Sequence, residues 1–165
     1  MQINIIYRTM KYIETFENRH HILKKYDYEE DLFDEIQFGN YDDVVDLIEN
    51  KKADINCKDV NTWTPLIKST INNRVKIAEK LIELGADINQ QTIDGKTALM
   101  FAAESNLHDM IILLIESGAE LYIKDDDGND FFYYLTEDEE EIVTEDYPEE
   151  CEEYLIKKNA EKFNL

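Results

Sequence analysis

The chain has 165 residues, 43% of them hydrophobic, which is enough for one domain with a buried core. Its net charge of -21 disfavours direct binding to nucleic acid or anionic membranes and favours a partner protein with a basic surface. Cys57 and Cys151 cannot form a disulfide framework and match no zinc spacing. Because no signal peptide or bilayer-length apolar run is visible, we expect a soluble protein of the cytoplasm. We also expect a monomer.

The first 30 residues carry apolar and aromatic side chains near helical spacing. This pattern predicts one amphipathic helix that packs on the segment that follows. The residues that carry the pattern are Tyr12, Ile13, Phe16, His20, Leu23 and Tyr26.

From residue 31 the sequence repeats with a period of 33 residues. The tetrapeptide Ala-Asp-Ile-Asn occurs at 53–56 and again at 86–89, and Thr-Pro-Leu at 64–66 is followed by Thr-Ala-Leu at 97–99. Since this period is far longer than that of a helix or a strand, each copy is predicted to be one supersecondary unit. A unit this small cannot bury its apolar side alone, so the units must stack.

Turn residues mark where the helices of each unit begin and end. Thr64 is placed to cap a helix, with Pro65 at its first position. Gly85 and Gly118 follow two apolar stretches, where a left-handed residue ends a helix. The pattern therefore predicts two short helices per unit.

These motifs, together with Ala102-Ala103 and the two Gly-Ala-(Asp/Glu) sequences at 85–87 and 118–120, resemble the ankyrin repeat. The resemblance covers about residues 31–135. It implies an all-α solenoid of stacked helix-turn-helix units with projecting loops, and a binding rather than a catalytic role. Ile67 and Met100 occupy the place of the family's usual histidine, which favours apolar packing there.

The resemblance divides the chain into two regular repeats flanked by divergent caps. The expected units are a capping repeat at 31–60, regular repeats at 61–93 and 94–126, and the start of a divergent repeat at 127–135.

The C-terminal quarter is strongly acidic. Residues 126–165 contain three basic and fifteen acidic residues, a net charge of -12. We expect an acidic loop over residues 136–147, with disorder there as an alternative, and a capping helix that starts at Pro148. Together these form the C-terminal segment 136–165.

No set of residues suggests catalysis, a metal or a cofactor. His20, His21 and His108 have no ligand partners at metal spacing, and the carboxylate run lacks the pattern of a calcium loop. Cys57 is expected to be a small buried residue. An enzyme therefore remains only a third hypothesis.

Two repeat positions are candidate binding residues. In the ankyrin family the residue before the conserved threonine lies near the loop tip. The fourth residue after that threonine faces the concave groove. Large rigid side chains there are typical of binding hot spots. Alternatively, Trp63 folds back on its loop and Phe101 packs against residues 1–30. The first position, before the threonine, holds Trp63, Lys96 and Asn129. The second position, four residues after the threonine, holds Lys68, Phe101 and Tyr134.

The leading hypothesis is a non-enzymatic module that binds another protein through these residues. The alternative is an acidic decoy that mimics a polyanion and occupies a basic or nucleic-acid-binding protein. Ankyrin-like proteins occur in eukaryotes, intracellular bacteria and large DNA viruses, where they are often directed at host proteins, so a host-cell partner is one expectation.

Overall fold

A computed structural model describes residues 28–162, which form helices joined by turns, without a strand in that range. The predicted helix over residues 12–26 lies outside the described part. The all-α fold class is confirmed. The helices are α1 at residues 28–38, α2 Tyr41–Glu49, α3 Pro65–Ile71, α4 Val75–Glu83, α5 Ala98–Glu104, α6 His108–Glu116, a 3₁₀ helix Phe131–Tyr134, α7 Glu137–Asp146 and α8 Glu152–Lys162.

The helices form two layers. In the inner layer α3 packs on α5, and α5 packs on the 3₁₀ helix; in the outer layer α4 packs between α2 and α6. Each regular repeat contributes one helix to each layer: α3 and α4 come from the first and α5 and α6 from the second. The two helices of a repeat also pack on each other. Leu66, Leu81, Leu99 and Leu114 are almost fully buried between them. Burial of each apolar face therefore depends on the neighbouring unit.

The helix cap predicted at Thr64 is confirmed, and Thr97 caps α5 in the same way. The Thr64 hydroxyl oxygen accepts a hydrogen bond from the Ile67 N–H at 3.2 Å, and that of Thr97 accepts from the Met100 N–H at 3.4 Å. Pro65 is the first residue of α3. These caps satisfy backbone donors at the first turn that have no partner inside the helix.

A column of asparagines joins successive repeats. The side-chain oxygen of Asn56 accepts from the backbone N–H of Asp87 at 3.0 Å. One repeat later, the side-chain oxygen of Asn89 accepts from the N–H of Glu120 at 2.9 Å. The repeated sequence thus produces a repeated hydrogen bond between units.

Tyr122 takes the next place in this column and joins the stack to the C-terminal segment. Its hydroxyl donates to the Glu150 carbonyl oxygen at 3.1 Å and accepts from the Tyr154 N–H at 3.2 Å. The Tyr154 ring stacks on Phe132, with centroids 3.9 Å apart. Val143 of α7 and Cys151 of the turn before α8 are buried, and Tyr154 and Leu155 of α8 pack against the core, so the C-terminal segment extends the core.

The expected acidic loop over residues 136–147 is wrong, because residues 137–146 form α7. The Thr136 hydroxyl oxygen accepts from the Glu139 N–H at 3.3 Å, and the carboxylates of the first turn suit the positive end of a helix. Val143 then anchors the helix in the core.

Two predicted boundaries also move. The capping helix starts at Glu152 rather than Pro148, because residues 148–151 form turns, with the Cys151 N–H donating to the Tyr147 carbonyl at 3.1 Å. At the other end, the expected boundary at residue 31 falls inside α1, which already includes residues 28–30.

Candidate functional site

Trp63 and Phe101, from neighbouring repeats, are in contact. The Trp63 backbone N–H donates to the Asp59 carboxylate at 2.9 Å, which fixes the turn just before α3. The Trp63 and Phe101 rings meet edge to face, with centroids 6.3 Å apart and planes at 68°. Lys68, on α3, places its Nζ 5.5 Å from the Trp63 ring centroid. The three side chains are half-buried and hold one another in place.

Lys96 continues this group toward the C-terminus. Its Nζ lies 5.7 Å from the ring centroid of Phe101 and 4.5 Å from that of Tyr134. The same nitrogen is 2.9 Å from a Glu104 carboxylate oxygen. Partial desolvation acts to lower the pKa of Lys96, but the hydrogen bond and charge of Glu104 raise it overall, so the ammonium stays charged at neutral pH.

Tyr134 is fixed by the turn that precedes the 3₁₀ helix. Its hydroxyl donates to the Asp125 carboxylate, whose other oxygen accepts from the Asn129 N–H at 2.8 Å and the Asp127 N–H at 3.0 Å. The Tyr134 hydrogen bond is the main cause of the lowered pKa of Asp125. Burial, followed by that same bond, raises the pKa of Tyr134. Asp125 therefore remains ionised and the phenol remains neutral.

The structure brings all the predicted site residues into one continuous surface, which we call the strip. They are half-buried by mutual contact rather than exposed, and Trp63 packs on Phe101 of the next repeat. A contact of Phe101 with residues 1–27 lies outside the described range. The strip consists of Trp63, Lys68, Lys96, Phe101, Asn129 and Tyr134.

Sequence reasoning missed two carboxylates that support the strip, Glu104 and Asp125. A signal for Asp125 was present, because it occupies the same repeat position as Asp59 and Thr92. Side-chain oxygens at all three positions accept backbone N–H groups of the turn, from Trp63, Lys96 and Asn129 respectively. Glu104 gave no comparable signal, since its partner lies eight residues away.

The other titratable groups of the described residues include Cys57, Cys151 and His108. Residues 28–162 contain no group of His, Cys, Asp and Glu side chains that could hold a metal ion. Cys57 is buried, as predicted, and burial raises its pKa to about 12. Burial likewise raises the pKa of Cys151 to about 11. His108 instead lies 3.3 Å from Glu139, between α6 and α7.

Comparison with known proteins agrees with this geometry. A family model for ankyrin repeats, in three copies, matches residues 32–125, which is more than half of the chain. The chain belongs to the ankyrin-repeat family. Ankyrin repeats are generally modules for protein–protein interaction. No helix within residues 28–162 is long and apolar enough to cross a membrane.

Curated relatives share the repeats but are much longer. The Ankyrin repeat and SOCS box protein 6 of Homo sapiens is 36% identical over 90 residues, which cover 50% of this chain and 21% of that protein. Alpha-latroinsectotoxin-Lt1a of Latrodectus tredecimguttatus is 39% identical over 75 residues, 45% of this chain and 5% of the toxin. An ankyrin repeat protein of fowlpox virus is 28% identical over 78 residues, 47% of this chain and 12% of the viral protein.

Proposed function

We propose that this protein is a non-enzymatic binding module that holds a partner protein against the strip. The observation that carries the proposal is the continuity of the strip, in which three aromatic rings and two lysines from successive repeats are in direct contact. The general role of ankyrin repeats supports the same reading. The free thiols Cys57 and Cys151 support a reducing compartment such as the cytoplasm for this interaction.

The strip suits binding because its side chains are already ordered. Trp63 is held by Phe101 and Lys68, and Tyr134 is held by Asp125, so few rotamers remain to be fixed when a partner arrives. Rigid aromatic side chains that bury much area at low entropic cost are typical of binding hot spots. The strip should therefore contribute more affinity than its area alone suggests.

Affinity capture with the full chain tests the strip directly. A tagged wild-type chain is used to isolate partners from its native cell, and the capture is repeated with Trp63→Ala and with Phe101→Ala. We expect either substitution to weaken binding by at least about tenfold, as truncation of a hot-spot residue does. The matched control is Phe38→Ala, since Phe38 is 67% exposed at the end of α1 and lies outside the strip. Unchanged capture by both folded variants would refute the assignment.

A second candidate function is the acidic decoy, which is favoured by α7. Exposed carboxylates line this helix, so it offers a dense negative surface to a basic partner. If the decoy is right, neutralising three of these carboxylates should weaken capture, and binding should fall steeply as salt is added. If the strip is right, capture should change little. The substitutions are Glu141→Gln, Glu145→Gln and Asp146→Asn, and the control set is Glu49→Gln, Glu79→Gln and Glu83→Gln.

A further inference from the structure

The two repeat positions of the strip continue into α1. Leu32, Phe33 and Ile36 are buried in α1 as Leu66, Ile67 and Thr70 are buried in the first regular repeat. This correspondence gives an offset of 34 residues, one more than the period, because the turn at Asn50–Ala53 contains an extra residue. On this register Glu29 corresponds to Trp63, and Asp34 corresponds to Lys68.

A cavity of about 490 Å³ lies at this end of the strip. Phe33 and the side chain of Val60, which is 98% exposed, give it an apolar surface. Its charged lining is mostly acidic, and no ion pair within residues 28–162 neutralises these carboxylates. The charged residues of the lining are Glu29, Glu30, Asp34 and Asp59, with Lys58 and Lys68.

With four carboxylates and two lysines in its lining, the cavity is net negative, and both lysines already have other contacts. Lys58 donates to the Gln91 carbonyl oxygen at 3.2 Å, and Lys68 lies over the Trp63 ring. Asp59 accepts hydrogen bonds from the backbone N–H groups of Asn61 and Trp63. The other carboxylates of the lining remain available to contact a ligand. The cavity is thus a place for a long side chain with an apolar stem and a cationic end.

We propose that the partner presents an extended segment with an arginine or lysine in this cavity and a large apolar residue three positions away, over Trp63 and Phe101. This inference rests on the proposed binding function of the strip. Neighbouring helices are about 10 Å apart, and an extended chain advances about 3.3 Å per residue, so one repeat corresponds to about three residues. The stem of the basic side chain lies on Phe33 and Val60, and its charge faces Glu29 and Asp34.

Blocked peptides can test this with the full chain, because Trp63 is the only tryptophan and its fluorescence reports on the strip directly. The probes are Ac-Ser-Arg-Ala-Ala-Leu-Ser-NH2 and the reverse order, Ac-Ser-Leu-Ala-Ala-Arg-Ser-NH2. The controls replace arginine by glutamate, or place arginine and leucine side by side. We expect a saturable change in Trp63 fluorescence with at least one of the two probes, in which arginine and leucine are three positions apart. Its control peptides should bind at least about tenfold more weakly. Absence of saturable binding, or equal binding of arginine and glutamate peptides, overturns the inference.

Charge reversal separates recognition from stability. Glu29→Lys combined with Asp34→Lys should make the chain prefer the glutamate peptide over the arginine peptide, which a purely structural role of these residues would not produce. The neutral pair Glu29→Gln with Asp34→Asn should lose the preference. An unchanged preference in the folded variants contradicts the inference.

The outcome is distinguishable from that of the proposed function. If partner capture depends on Trp63 and Phe101 but survives the neutral pair at Glu29 and Asp34, the strip is a binding site and the basic-residue inference is wrong. If partner capture is unchanged by Trp63→Ala and by Phe101→Ala, the proposed function itself is wrong.

Discussion

Gly95 lies so close to Asp125, in the equivalent turn 33 residues further along the chain, that a Cβ atom on Gly95 would be 2.8 Å from the Asp125 Cα. The contact is reinforced by a hydrogen bond from the Asp126 N–H to the Asp94 carbonyl oxygen at 3.1 Å. Gly118 also has a positive φ, of 89°, but no atom lies within 4 Å of the place its Cβ would take. Gly118 is therefore needed only for its backbone conformation. Gly95 is needed also because a side chain there would prevent the close approach of two turns.

Gly95→Ala should destabilise the protein more than Gly118→Ala. The second change costs only the left-handed backbone of a non-glycine residue, about 1–2 kcal/mol. The first adds a clash with backbone that has no flexible side chain to move, so we expect at least about 1 kcal/mol more. Urea unfolding followed by circular dichroism measures both. Equal losses would show that the two turns do not depend on their close contact.

Leu114→Ala should reduce the free energy of unfolding by about 3 kcal/mol, because Leu114 is fully buried between the repeats and its loss leaves a cavity. Ile93→Ala is the control, since Ile93 is 72% exposed and its truncation should change stability by less than about 0.5 kcal/mol. The same urea titration serves for both variants. A small loss for Leu114→Ala would contradict the packing of α6 against α5 and α4.

Tyr134→Phe should lower stability at neutral pH and lose this effect in acid. The Tyr134 hydrogen bond lowers the pKa of Asp125 in the folded state, so it stabilises that state above the unfolded pKa of about 3.9. The contribution falls as the pH drops through the lowered folded value, because Asp125 is then protonated in both states. Unfolding of both proteins in urea at several pH values from 7 to 3 measures the difference. A difference that grows toward acid would have the wrong sign.

Both thiols should react slowly with a disulfide reagent until the protein unfolds. With pKa values of about 12 for Cys57 and about 11 for Cys151, the thiolate fraction at pH 8 is far below that of an ordinary thiol with a pKa of about 8.5. Burial also blocks access. Reaction rates with and without urea test this, with Cys57→Ala and Cys151→Ala assigning each site. Rapid labelling of the native protein would contradict the burial of the labelled residue.

Much of the repeat fold could be predicted because its signals are local. Thr64 and Thr97 cap the helix that each precedes, and Gly85 and Gly118 end helices by their own backbone conformation, so no distant contact is needed. The strip was predictable for a related reason. Residues at one repeat position lie side by side when the units stack, and this places Trp63 near Phe101 and Lys96 near Tyr134.

The C-terminal segment could not be predicted as well because its helix depends on tertiary contacts. A run of carboxylates resembles a disordered tail in composition. In the structure Glu139 pairs with His108, Glu140 pairs with Lys158, and Val143 enters the core. Thr136 and Glu139 have the spacing of a capping box, but the surrounding acidic residues conceal it. The half-burial of Trp63 likewise depends on a ring from another unit.

Tyr122 is where the column of asparagine acceptors ends within residues 28–162. An asparagine there would leave an oxygen ready to accept from a further unit, as Asn56 and Asn89 do. The Tyr122 hydroxyl instead donates to the carbonyl of residue 150 and accepts from the N–H of residue 154. A unit grafted immediately after this turn would therefore find no free acceptor at this position. Longer versions of the protein should therefore be built by duplicating residues 61–93 ahead of Tyr122.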